Sequence, residues 1–294
     1  MSDRGILSSL RYLFADFIGE EDDSPPFLPE GLPEAVTPVA SDAIHLLIEY
    51  QGTAYAKLYI DRLRRFVGKQ GVDDAMLAEI ARLMAMRMSY EDPIRIAQLK
   101  LAEFNELSGG NYNPVVDIRK FRVDELVSAL PAIIAEYLID ALDWAGWAHK
   151  QVSIRFSAAS RVGVRRLKIE AGLKRWRRYS VRYAKERLWV ERWLHMIDRS
   201  LTKQPAAATE IVQTATMIQG YGDVYRQGLA DWNAIIDGLA KPTFDGALAL
   251  SDIGGAVKEA RSAAQPDPRQ AALKRKIAEI RSLVPAGGSS AAAG

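Results

Sequence analysis

SDAIHLLIEYQGTAYAKLYIDRLRRFVG, residues 41–68, decides the fold. Apolar side chains recur three and four residues apart, at Ile44, Leu47 and Ile48 and then at Tyr55, Leu58, Tyr59, Leu63 and Phe66. That spacing puts them on one face of an α-helix, and Ser41 or Asp42 can accept a hydrogen bond from a first-turn amide. The stretch predicts one long amphipathic helix ending near Gly68.

The same period continues outward. Asp73 or Asp74 can open a helix carrying Leu77, Ile80, Met84 and Met88 on one face, and Asp92-Pro93 can restart one carrying Ile94, Ala97, Leu101 and Phe104. Ser108 to Pro114 reads as a loop. Leu126, Leu130, Ile133, Tyr137, Ala141 and Trp144 form a further stripe, which Pro131 should kink or split because it lacks a backbone donor. A long basic helix is expected with Trp176, Tyr179, Tyr183, Val190, Leu194 and Ile197 on one face. Ile211, Ala215 and Ile218 mark the next helix, and Tyr225, Leu229, Trp232 and Ile236 mark another after the turn Gly220-Tyr221-Gly222-Asp223.

Only Val152, Ile154 and Phe156 alternate with polar residues as a strand would, and a lone strand needs a partner that the pattern does not reveal. The expected fold is all-α, mainly a helical bundle with at most one or two short strands. Residues 1–40 read as an N-terminal helix and a proline-rich acidic linker, 41–242 as the helical domain, and 243–294 as an Ala/Gly-rich tail with one amphipathic helix, Leu273 to Val284, and a disordered end.

Composition narrows the chemistry. The chain has no cysteine, which excludes disulfides, iron–sulfur ligation and cysteine nucleophiles. Its histidines, His45, His149 and His195, stand in unrelated contexts, so neither a metal site nor a Ser/His/Asp triad is signalled. No export signal is read at the N-terminus, and a cytoplasmic protein is expected. The most apolar window, Pro131 to Ala148, carries Glu136, Asp140 and Asp143, so it reads as a buried helix and not as a membrane span.

Net charge is +2, but between Arg155 and Arg192 thirteen Lys and Arg stand against three Glu. Within that stretch Arg175, Arg177, Arg178, Arg182 and Lys185 interleave with Trp176, Tyr179 and Tyr183, a pattern that could grip a phosphate group, a CoA-like ligand, nucleic acid or an acidic partner surface. It equally suits the solvated side of a helix, with the arginines pairing to acidic residues elsewhere in the chain. Gly220-Tyr221-Gly222 is a weak phosphate-loop hint that lacks the third glycine and preceding strand of a dinucleotide fold, so a tight helix–helix turn is the plainer reading. Ser89-Tyr-Glu-Asp92 reads as helix capping.

Four segments carry a resemblance: Tyr50 to Leu63, Met88 to Ala97, Arg175-Trp-Arg-Arg178 with Arg182-Tyr-Ala-Lys-Glu186, and Gln219 to Leu229. In that order, over Ser41 to Lys241, the chain resembles the uncharacterised helical region at the C-terminal end of bacterial indolepyruvate:ferredoxin oxidoreductases. The resemblance implies membership of a 2-oxoacid oxidoreductase complex that converts an arylpyruvate, CoA and an oxidised carrier to an aryl-acetyl-CoA, carbon dioxide and the reduced carrier. It implies thiamine diphosphate, magnesium and iron–sulfur clusters on partner subunits, and none in this chain. No catalytic motif of the family lies in the matched stretch, so a separately encoded accessory subunit without a complete active site is expected, its partners being the catalytic subunits. A stand-alone nucleic-acid-binding protein is the alternative, weakened by the near-neutral chain.

Overall fold

A computed structural model describes residues 28–107 and 116–283 and is mainly helical. The expected N-terminal helix, the first part of the linker (20–27), the loop Ser108 to Pro114 and the chain end after Leu283 lie outside the described residues.

The opening stretch forms two helices, α1 (Thr37–Tyr50) and α2 (Thr53–Arg64), where one was expected. Gly52 is the reason: it sits at φ 123°, which L side chains rarely adopt, and its amide and that of Gln51 both fold back onto the Leu47 carbonyl. The kink lets both apolar faces reach one core. Asp73 then caps α3 (Asp74–Met88) by accepting from the Met76 amide at 2.7 Å, and α4 (Pro93–Leu107) starts behind Asp92 as its sequence indicates.

The strand partner is β1 (Val116–Arg122), antiparallel to β2 (Gln151–Ser157), with Phe121 opposite Val152 and Asp117 opposite Phe156. β1 escapes pattern reading because its exposed face holds Val116 and Ile118 while the inner one holds Asp117 and Arg119 beside Phe121. Between the strands run α5 (Val123–Ser128) and α6 (Ala132–Trp144), and Pro131 splits them as its missing donor requires. α6 is not the buried helix expected here: Tyr137 is 76 % exposed and Trp144 92 %.

The basic stretch is likewise broken, into α7 (Arg161–Gly172), a 3-10 segment (Leu173–Tyr179) and α8 (Val181–Lys203), because Ser180 leaves the helical conformation to cap α8. Then come α9 (Ala208–Gln213) and α10 (Gly222–Ile235), the latter running through a π turn (Ile236–Ala240) into α11 (Lys241–Phe244). Two helices, α12 (Ile253–Ala263) and α13 (Ala271–Ser282), stand in the region read as a tail with one. Ile253, Val257, Leu273 and Ile277 bury into the main core, so glycine and alanine enrichment there marks close helix packing.

Two apolar clusters result. The larger joins α1–α3 to α8–α13 around Trp193 and Trp232, whose indole N–H groups reach the Ile211 and Val212 carbonyls and the Thr214 hydroxyl. Burial of each such ring stabilises by roughly 2–3 kcal/mol and, with its donor paired, costs no stranded polar group. The smaller gathers Ile96, Ala97, Phe121, Phe156, Ala158 and Leu167 from α4, the hairpin and α7. Among the described residues no helix is long and apolar enough to cross a membrane.

Candidate functional site: an arginine–aromatic junction

The chain crosses between the two clusters twice, at residues 89–92 and again at 173–180. At this double crossing Asp92 accepts from the Arg95 amide at 2.6 Å, capping α4. It also receives Arg177 through both carboxylate oxygens, Nε to Oδ2 at 2.7 Å and Nη2 to Oδ1 at 2.9 Å. The remaining Arg177 nitrogen, Nη1, donates to the Tyr50 carbonyl at 2.8 Å, and its guanidinium lies 3.8 Å from the Tyr50 ring centroid. One side chain thus ties α1, the start of α4 and the 3-10 segment together. Arg177 is 1 % exposed. Burial works against its charge, but the oxygens of Tyr50 and Asp92 outweigh that, and the guanidinium holds its proton well above its ordinary range.

A second knot stands beside the first. Glu186 on α8 is buried and accepts from Arg182 Nε at 2.8 Å and from Arg87 Nη2 at 2.8 Å. Arg87 Nη1 continues to the Ile218 carbonyl at 2.9 Å. Arg182 lies 3.7 Å from the Tyr225 ring centroid and Arg87 lies 5.1 Å from that of Trp189. Tyr50 and Tyr55 close the seam by donating to the Tyr90 and Met88 carbonyls at 3.1 and 3.0 Å. Burial pushes the Tyr50 and Tyr90 hydroxyls well above the usual phenol range, so both stay neutral.

The basic residues singled out in the sequence therefore divide. Arg177 and Arg182 pair with internal carboxylates, as the reading of arginines matched to acidic residues elsewhere in the chain allows. Arg175 and Lys185 are exposed, and Arg175 and Arg178 line a shallow crevice of about 110 Å³ with Gln51, Tyr55 and Tyr183. Tyr221 is not part of this group. Its ring packs 5.2 Å from Phe121, its hydroxyl accepts from Arg119 Nη1 at 3.1 Å, and Gly220 and Gly222 on either side have positive φ, as a tight turn requires. The turn forms one wall of a cleft of about 500 Å³ against the hairpin, where Lys120, Arg122 and Arg226 are offset by Glu125 and Asp223. The Gly222 amide, at the start of α10, is already taken by Glu125 at 2.8 Å.

Residues 36–238 match a family described only as a family of unknown function, DUF6537. The chain belongs to that family. The matched span begins with α1, contains both crossings and ends inside the π turn, leaving α12 and α13 beyond it. Comparison with curated proteins and with solved structures gives no match. The family span thus covers the smaller cluster, the junction and most of the larger cluster, whose α11–α13 residues lie beyond it. Among the described residues no group of three or more His, Asp or Glu side chains is placed to hold a metal ion.

Sequence reasoning missed Arg87, Glu186 and Tyr225 as members of the junction. Asp92 and Arg177 are 85 residues apart, and neither charge shows in its local pattern that it will be buried. The available signal was density: each segment that carries the family resemblance contributes a tyrosine or an arginine to the junction.

Proposed function

We propose that the chain is a non-catalytic helical module serving assembly of an indolepyruvate-type 2-oxoacid:ferredoxin oxidoreductase, with thiamine diphosphate, magnesium and iron–sulfur clusters on the catalytic partner subunits. The observation that carries this reading is convergence. The four segments resembling the C-terminal region of those oxidoreductases meet at one junction, through Tyr50, Tyr55, Asp92, Arg177, Arg182 and Tyr225. There the charged groups are occupied in holding helices, which suits a scaffold better than a reaction centre. Burying ion pairs is costly unless every oxygen and donor is well placed, so they fix one relative arrangement of two clusters more than they add stability.

The nucleic-acid alternative loses two of the cations it would use. Phosphate-backbone binding needs displayed cations, and Arg177 and Arg182 are turned inward. Contact with an acidic partner or a CoA phosphate would fall at the exposed Arg175 and Lys185.

A pull-down of the tagged chain from its own cells at low salt tests the proposal. Thiamine- and cluster-binding subunits should co-purify and reduce an electron acceptor in an arylpyruvate-dependent manner. Recovery of the chain without any oxidoreductase subunit, or with nucleic acid alone, would overturn it.

A further inference from the structure

The insertion between β1 and β2, residues 123–150, projects α6 from the smaller cluster with little of its own surface covered. Ala135 turns inward, while Ile134, Tyr137, Leu138 and Trp144 stay exposed at three-, four- and seven-residue spacings, which makes them one stripe. Glu136, Asp140 and Asp143 flank that stripe, all exposed, and α6 contains no Lys or Arg. α7 has the opposite character. Val162 and Ile169, with Leu173 at the start of the 3-10 segment just beyond, form an exposed stripe, Val162 at 79 %, flanked by exposed Arg161, Arg165 and Lys168.

We propose that the α6 face of one copy seats on the α7 face of a second copy of this chain. Each face is an apolar stripe of helical pitch, the geometry that packs one helix against another. Their rims carry opposite charge, which sets orientation and speeds encounter, and both halves of the match are present in every copy. A two-fold axis would form the contact twice and close the assembly. Pairing of α6 with α6 would instead oppose three carboxylates to three, and an anionic membrane surface would be repelled by the same three. The contact is independent of the oxidoreductase reading, because it requires only the purified chain.

Sedimentation velocity of the full chain across the micromolar range should show a reversible dimer that weakens as salt rises. Trp144→Asp, at an exposed position, should leave far-ultraviolet circular dichroism unchanged and weaken the dimer about thirtyfold or more, the size expected of an aromatic anchor. Asp140→Lys and Arg165→Glu should each weaken it, and their combination should restore it. Because the chain has no cysteine, the Trp144→Cys and Ile169→Cys variants can be mixed under mild oxidation, and a disulfide-linked dimer should form in the mixture. A chain that stays monomeric, a dimer that none of these substitutions changes, or cross-linking confined to one variant alone would overturn the proposal.

Discussion

Around Trp193 and Trp232, residues from nine helices bury large side chains on all sides, whereas around Phe121 and Phe156 a hairpin and two helices enclose a handful and leave many apolar groups in water. Most of the exposed large apolar side chains among the described residues fall between Leu99 and Leu173, within the smaller region. The larger region is therefore finished by its own sequence. The smaller one has a core of marginal size, held to its neighbour by the Asp92–Arg177 clamp and facing outward with α6 and α7. Stability and recognition surface are divided between the two.

The largest expected effect breaks the clamp. Asp92→Ala strands the Arg177 guanidinium in a site with no opposing carboxylate, so a loss of about 3–5 kcal/mol in urea unfolding is expected. Replacing both Asp92 and Arg177 by apolar residues of similar size should recover much of that loss, because no buried charge is left alone. A double variant as unstable as the single one would show that the hydrogen bonds to the Arg95 amide and the Tyr50 carbonyl carry the stability instead.

Next in size is Leu167→Ala on α7, which should cost about 2–3 kcal/mol by leaving a cavity at the centre of the small cluster. Its distribution sharpens the contrast. Amide exchange should rise in α4, α7 and the hairpin while protection around Trp193 stays as it was. Uniform loss of protection over both regions would mean that they unfold as one unit.

Much of this division could be read from the sequence, and the parts that could not share a physical cause. Periodicity located α3, α4 and α10 because each buries one continuous face. It ran α1 into α2 and the 3-10 segment into α8 because apolar phase continues across Gly52 and Ser180, and only backbone geometry there breaks the helix. It read α6 as buried because apolar content alone does not say whether a helix has anything to pack against. In the candidate site, Arg177 and Arg182 were visible as residues but not as buried ones, since burial depends on Asp92 and Glu186 arriving from elsewhere in the fold.

The smallest expected effect compares two carboxylates at the surface, Glu79 on α3 and Asp223 at the start of α10. Glu79 on α3 is held by Arg82 through both oxygens, at 2.7 and 2.8 Å, and by Gln213 of α9 at 2.8 Å, and the Arg82 hydrogen bonds draw its carboxyl below the ordinary value. A depressed folded value contributes stability that is complete above the unfolded glutamate pKa of about 4.3 and is lost as pH falls through the folded one. Asp223, beside the Tyr221 turn, is drawn down by a hydrogen bond from Arg226 within its own helix. Asp223 is exposed and Glu79 is half-buried at the surface, so solvent screens both and each should contribute no more than about 0.5 kcal/mol. Only Glu79 joins two helices of the larger core. Glu79→Gln should therefore flatten the acid limb of the stability curve below about pH 4.5 more than Asp223→Asn does. Equal flattening would show that a local pair one helical turn long resists acid as well as one tied across the core.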